Sequence, residues 1–278
     1  MKWAPSASSY ILDKFTRLTK QAAKAKPDLI VWPEASSPEV LGEQGAIFKE
    51  IFALAKDIRT PVLIGAVVKE GQGYFNSALL IDARGKISGR YDKLHLVPFG
   101  EYIPLKRFLP FLEAVVPIGD IAAGREYTIF TLPATYYPLP AKFSVLICFE
   151  DLFPELSRQF VKTGVQFLVN ITNDAWYKKT AAASQHLQAS VFRAVENRVF
   201  LVRSANTGVS GFISPAGKII SKVADLSGVD IFIDGVDTQG LVLKKRPHTI
   251  YTRYGDFLVI VCVLFAFYGI IRALKYKP

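Results

Sequence analysis

FSVLICFEDLFP, residues 143–154, is the stretch whose reading decides the fold. Val145, Leu146 and Ile147 form an apolar run of strand length that ends on Cys148, with Glu150, Asp151 and Pro154 just beyond. Proline has the φ of a first helical turn and lacks an N–H that such a turn leaves unbonded, so PELSRQFVKTG is expected to continue as a helix. Cys148 then stands at a strand-to-helix turn. A thiol facing the positive end of a helix dipole can have a depressed pKa and act as a nucleophile. The same residue could be a small member of the core, as free cysteines usually are.

Outward from this unit, helix and strand patterns alternate in both directions. Upstream, Ile11, Phe15, Leu18 and Ala22 recur at helical spacing, and that helix should stop near Lys26-Pro27. DLIVW, residues 28–32, is expected as a buried strand that delivers Pro33-Glu34 at its C-terminal end, where α/β sheets collect ligand-handling residues. A helix over roughly 44–57 and the strand PVLIGAVV follow. FNSALLID, a turn at 82–85 and KISGRYDK then make a β-hairpin. YDKLHLVPFGEYIP, residues 91–104, has no clean period and is expected as an ordered loop, with a short helix near 105–115 and a second loop at PATYYPLPAK. Downstream come the strand VQFLVNIT, a helix over 182–197, the strands FLVRSANTG and VSGFIS, a turn at SPAG and a closing strand KIISKV. The second half thus repeats the first, and two related α/β halves packed face to face are expected.

The bulk composition points to a membrane. Half of the 278 residues are hydrophobic and the mean hydropathy is positive. MKWAPSASSY has no apolar core of signal-peptide length. Phe257–Ile271 is a run of fifteen apolar residues, about 22 Å of helix against a span of roughly 30 Å. Tyr251, Tyr254 and Tyr268 suit the interface, and Arg272, Lys275 and Lys277 can snorkel, so a transmembrane helix is expected over residues 251–278, after a catalytic domain at 1–250. The positive-inside rule keeps the RALKYKP tail cytoplasmic and places the large domain on the opposite face. The net charge of +10, with clusters at 244–246 and in the tail, is unaccompanied by any nucleic-acid motif and favours anionic lipid. Cys148 and Cys262 are not expected to pair, and His95, His186 and His248 are too scattered for a metal site.

Three polar residues close apolar strands or sit in the unusual loop: Glu34, Lys93 and Cys148. Together they could serve as base, cation and nucleophile: Glu34 takes the thiol proton, Cys148 attacks a carbonyl and Lys93 stabilises the oxyanion. Each alone could instead be a surface acid, a solvated lysine or a core thiol.

WPEAS, YDKLHLVPFGEYIP, ICFED and NITNDAW stand in an order that resembles the nitrilase, or carbon–nitrogen hydrolase, superfamily. HLVPFGEYIP with a C-terminal membrane helix is similar to one branch in particular, the apolipoprotein N-acyltransferases of bacterial envelopes. The resemblance implies an α-β-β-α sandwich with Glu34 as general base, Lys93 as its electrostatic partner, Cys148 as nucleophile and Glu101 as a further acid that orients Lys93. Phe149, Glu150 and Trp176 match positions beside the pocket and are expected to contact substrate, with core packing or salt bridging as the alternative. The implied reaction carries an acyl chain from a phospholipid donor through a Cys148 thioester to the amine of a diacylglyceryl-cysteine on an apolipoprotein acceptor, with no cofactor and no nucleic acid, at the bacterial inner membrane. It further implies an upstream multi-helix membrane segment or partner, and a chain that lacks the domain's first strand. After NDAW, where the family tends to continue with an aromatic and a glycine, this chain has Tyr177-Lys178-Lys179, and Phe149 stands where tyrosine is common. A membrane-anchored amidase and an inactive binding module remain the competing readings.

Overall fold

The computed structural model describes residues 5–43, 45–103, 121–134, 140–244 and 247–275. The helix expected near 105–115, the middle of the PATYYPLPAK loop, the basic pair 245–246 and the tail from 276 lie outside the described residues.

The first half builds α1 (Pro5–Ala23), β1 (Ile30–Val31), β2 (Val40–Leu41), α2 (Ala46–Ile58), β3 (Val62–Glu70), β4 (Gly73–Ile81) and β5 (Ile87–Asp92). Among the described residues its sheet runs β1-β3-β4-β5. β4 pairs antiparallel with all of β3, so β1 and β2 share the remaining edge of β3, in parallel, at Ile30↔Val62 and Val40↔Val67. The 28–32 strand is shorter than expected. It lies at the end of its sheet and borders a cavity of about 660 Å³ that α1 and Ser204 also line.

The second half builds β6 (Phe130–Leu132), β7 (Ala141–Ile147), α3 (Pro154–Lys162), β8 (Phe167–Asn173), α4 (Ala182–Asn197), β9 (Phe200–Asn206), β10 (Gly211–Ile213) and β11 (Ile219–Lys222). Its sheet order is β11-β10-β9-β8-β7-β6, with β7, β8 and β9 parallel and the outer strands antiparallel. Parallel strands buried on both faces read as unbroken apolar runs, which is why SVLI and VQFLVNIT are legible as strands.

Strand alternation assigns the layers. On β3, Val62, Ile64 and Ala66 pack with Leu12 of α1 and Phe48, Ile51 and Leu54 of α2. Leu63 points the other way, and with Ala78, Leu80 and Tyr91 it joins Val145 and Ile147 of β7 in the core between the sheets. α3 and α4 cover the far side of the second sheet through Leu156, Phe160, Leu187 and Ala194. The result is the expected α-β-β-α sandwich.

The chain ends in α5 (Ile250–Tyr254) and α6 (Phe257–Lys275). No α6 side chain is buried, and its nineteen residues span about 28 Å, longer than the apolar run alone because the helix continues through Arg272 to Lys275. α5 ties its root to the domain. The Thr249 hydroxyl donates to the Glu196 carbonyl (2.6 Å), Thr252 donates to Asn197 Oδ1 (3.0 Å), and Arg158 of α3 donates to the carbonyls of Tyr251 and Arg253 (3.1 Å each).

Phe143 is fully buried, with the rings of Phe130 and Phe167 each 5.1 Å from its own across three strands. Replacing Phe143 by alanine should lower unfolding stability by about 3–5 kcal/mol, and by leucine distinctly less. Denaturant titration of the detergent-solubilised chain checks this.

Candidate active site

Cys148 follows β7 directly and opens a 3-10 turn, Cys148–Leu152, that separates it from α3. Its φ of 55° is left-handed, which costs a non-glycine residue about 1–2 kcal/mol. Two neighbours hold that turn. Asn170 of β8 donates from Nδ2 to the carbonyls of Leu146 (3.2 Å) and Cys148 (3.1 Å), and the Ile147 N–H donates to Glu150 Oε2 (2.8 Å).

Glu34 arrives from the end of β1. Its turn lies hard against β3: a Cβ on Gly65 would sit 2.5 Å from the Pro33 carbonyl oxygen and the Ala35 nitrogen, so only glycine admits this approach. Lys93 arrives from the end of β5 and is 1% exposed. Its Nζ lies 2.8 Å from Glu101 Oε2 and 3.5 Å from Glu34 Oε1. Asn76 of β4 completes the set, donating from Nδ2 to Glu34 Oε1 (2.8 Å) and Glu101 Oε1 (2.7 Å), while the Val97 N–H donates to Glu101 Oε2 (2.9 Å). The structure therefore brings Glu34, Lys93 and Glu101 into contact. A surface acid and a solvated lysine are excluded.

Electrostatics sets the resting state. Burial alone disfavours the Lys93 ammonium, but the Glu34 charge, that of Cys148 once its thiol ionises, and that of Glu101 outweigh it and hold its pKa above the ordinary lysine value. Burial pushes the Cys148 thiol up to about 12; the Glu34 charge adds to this, and Lys93 and a hydrogen bond with Thr172 oppose it. The expectation of a thiol acidified by a helix dipole is thus overturned. α3 begins only at Pro154, and desolvation together with Glu34 dominates. A protonated thiol becomes a nucleophile only when a base takes its proton, and the groups at Lys93 include two carboxylates, Glu34 and Glu101.

The flanking residues divide. Glu150, expected at the substrate, is fully buried and engaged elsewhere. It accepts from the N–H groups of Ile147, Leu94 (2.7 Å) and His95 (3.1 Å) and from the Tyr91 hydroxyl (2.9 Å), so it clamps the Cys148 turn to the segment that carries Lys93. Burial pushes its carboxyl up to about 7, against the pull of those donors and of Lys93. Phe149 is half-buried, its ring 5.0 Å from that of His186 and 5.9 Å from that of Tyr177. Trp176 stands 81% exposed on the turn after β8.

Sequence reasoning missed Asn76, Asn170 and Arg203, and with them Asp151, Asp174 and His186. The first three are polar residues inside strands that otherwise read as buried, and that mismatch is the signal that could have found them. Gly208 belongs to the same region, since a Cβ there would lie 2.0 Å from Asp174 Oδ2.

A carbon-nitrogen hydrolase family model matches residues 1–241. The chain is 38% identical, over 100% of its own length and 51% of the relative's, to an apolipoprotein N-acyltransferase of Geobacter metallireducens. It is 34% identical to one of Allorhizobium ampelinum, over 86% of this chain and 45% of that protein. The chain therefore spans about half the length of the curated relatives it matches. Among solved structures, an amidase from Nesterenkonia sp. is similar with a TM-score of 0.58 at 20% identity, covering 78% of this chain and 80% of that one, a likeness of fold.

A thiol held near 12 stays mostly protonated across the working range, so alkylation of Cys148 by iodoacetamide should rise tenfold per pH unit up to pH 10. In denaturant, where the thiol returns to about 8.5, the same rate should level off above that pH. A native plateau near pH 7 would show a preformed thiolate instead.

Proposed function

The chain belongs to the carbon–nitrogen hydrolase family, and from that premise we propose that it is an N-acyltransferase, moving a fatty acyl chain from a phospholipid to the amine of the diacylglyceryl-cysteine of a bacterial apolipoprotein. The observation that carries this is the buried cluster of Glu34, Lys93 and Glu101 beside a protonated Cys148, in a chain that ends in a bare apolar helix.

In the first half-reaction Glu34 accepts the Sγ proton and the sulfur attacks the ester carbonyl of the phospholipid. Lys93, fixed in its charged form by the two carboxylates, stabilises the oxyanion. Collapse releases the lysophospholipid alcohol, which takes the proton back from Glu34, and leaves a thioester. In the second half-reaction the lipoprotein amine attacks that thioester, Glu34 accepts the amine proton, and collapse gives the amide and returns the proton to Sγ. Glu101 and Asn76 hold Lys93 and Glu34 in position throughout. The burial of all three reacting groups supports a thioester sheltered from water, which favours transfer to an amine over hydrolysis.

α6 supports a membrane location. It is long enough to cross with little mismatch, and its root is bonded to α3 and α4, so the domain stands at a fixed place over the bilayer. On this proposal the chain sits in the bacterial inner membrane with its C-terminus cytoplasmic and its catalytic domain on the periplasmic or outer face, and any upstream membrane helices would further fix its tilt. The names of the relatives support the choice of substrates.

Incubation with a phospholipid of defined acyl chain should place that acyl group on the Cys148 peptide as a hydroxylamine-sensitive adduct, read by mass spectrometry, and Cys148→Ser should abolish the thioester. A diacylglyceryl peptide should then gain the acyl mass. Glu34→Gln should slow adduct formation by about 10²–10⁴-fold. Amide hydrolysis with no lipid-derived adduct would establish the amidase reading. Carbonate washing should leave the chain in the membrane fraction, and cutting it before Thr249 should release the domain or misfold it.

A further inference from the structure

Asn170 holds the Cys148 turn, and what holds Asn170 lies one strand further away. The register of the parallel strands sets Leu146 of β7 opposite Asn170 of β8, and Asn170 opposite Arg203 of β9, so the three form one row across the sheet. Asn170 is fully buried and Arg203 is 2% exposed. Arg203 Nη1 donates to Asn170 Oδ1 (2.5 Å), and Asn170 Nδ2 donates onward to the carbonyls of Leu146 and Cys148. A primary amide can present either its oxygen or its nitrogen to a neighbour, but a guanidinium has donors and no acceptor. Beside Arg203 the amide therefore turns its oxygen toward β9, which leaves its N–H groups for the two carbonyls. Turned over, it would set N–H groups against Nη1 and its oxygen against two carbonyl oxygens, and all of those buried groups would lose their partners. Arg203 thus decides that the Cys148 carbonyl meets a donor.

The same guanidinium reaches the turn by a second route. Asp151 belongs to the Cys148–Leu152 turn itself, and its Oδ2 accepts from Arg203 Nη1 at 3.1 Å. On the other side Nη2 donates to Asp174 Oδ2 (3.2 Å), just after β8. Ser190 of α4 fills the space between, with its Oγ 3.0 Å from Nη1 and donating to Asp151 Oδ2. His186 joins the two carboxylates, 3.0 Å from Asp151 Oδ1 and 2.9 Å from Asp174 Oδ1. Two buried carboxylates by themselves account for a buried arginine. They do not account for the bond to Asn170, which carries the grip of Arg203 on to the carbonyls on either side of Ile147. Both routes end on the turn that keeps Cys148 in the left-handed region.

We propose that Arg203 is a positioning residue for the nucleophile: acting through Asn170 and Asp151, it fixes the backbone of Cys148 and with it the place of Sγ relative to Glu34 and Lys93. Arg203 acts on alignment and takes no part in the proton and acyl transfers. Its charge alone does not suffice, because the role depends on one planar fork meeting Asn170, Asp151 and Asp174 at once. The inference rests on the reading of Cys148 as nucleophile.

The test is the single-turnover rate constant for thioester formation on Cys148 from a phospholipid of defined acyl chain, measured on the full chain in detergent. A partly unfolded preparation lowers the amplitude of this phase and leaves its rate constant alone, so a purely structural role would not move the constant. Arg203→Lys keeps the buried charge but replaces the fork by a compact ammonium. It should lower the rate constant at saturating donor about 10- to 100-fold, with the half-saturating donor concentration within about twofold of the parent. Asn170→Asp keeps an oxygen toward Arg203, ionised beside the guanidinium, and loses the donor toward Cys148; a similar slowing is expected. The double variant should lose less than the product of the two single losses, because both residues lie on one chain of bonds. Where either variant cannot be purified, Arg203→Gln or Asn170→Leu takes its place and the same slowing is expected. An Arg203→Lys or Asn170→Asp rate constant equal to the parent's, a loss confined to amplitude or half-saturation, or fully multiplicative losses would overturn the proposal. A parent that forms no acyl thioester on Cys148 would instead overturn the nucleophile reading, and this inference with it.

Discussion

An ammonium group with 1% exposure has to be compensated where it sits, and the placement of Lys93 constrains most of what surrounds Cys148. Removing one partner of a buried ion pair typically costs about 3–5 kcal/mol, because it strands the other charge. Glu34 and Glu101 must therefore both reach Lys93, and they come from segments far apart in the chain. β1 has to end against β3, which requires Gly65, and the 97–102 turn has to fold back so that the Val97 N–H reaches Glu101. Asn76 bonds the two carboxylates from the strand between them. The first sheet is shaped to close this one electrostatic account.

The second sheet answers the same problem on the other side of Cys148. Asp151, Asp174, His186 and Arg203 are all buried, and each faces two of the others or a bridging hydroxyl. Glu150 joins the two halves, bonding backbone of the β7 turn and of the segment after β5 with one carboxylate. Buried polar sets of this kind contribute little net stability compared with apolar packing of equal volume. Their effect here is to fix one geometry: the sheets cannot slide past each other without stranding a charge. The left-handed backbone of Cys148 is kept in place by the same bonds.

Position and chemistry meet at α3. Its N-terminal side follows the turn that carries Cys148, and Arg158, one turn on, grips the carbonyls that precede α6. The membrane-length helix is therefore rooted on the helix that follows the Cys148 turn. On the proposed function, an acyl donor in a bilayer would reach the buried thiol only with the domain at a constant height, and a root bonded to α3 and α4 would hold that height at one edge.

The sequence by itself determined the α/β alternation, a hairpin at 75–93, the 182–197 helix, the C-terminal apolar helix and the places of Glu34, Lys93 and Cys148 at strand ends or in the loop that follows. These follow from periodicities of two and 3.6 and from apolar runs, which are local properties. Only the tertiary structure decided the charge states and the partners. LICFED reads as a strand leading to a helix whatever surrounds it, yet the thiol is pushed up rather than down because Glu34, 114 positions earlier, and burial by both sheets set its field. Glu150 reads as an acid that contacts substrate, with core packing or salt bridging as the alternative, and is a buried clamp because the N–H groups of Leu94 and His95 are brought to it by the packing of the two halves. Asn76 and Arg203 are marked locally only as polar residues in apolar strands, and His186 carries no local pattern at all; none of this tells which groups they meet. Desolvation and Coulomb interaction depend on which groups are near in space, and that is fixed only when the sheets meet.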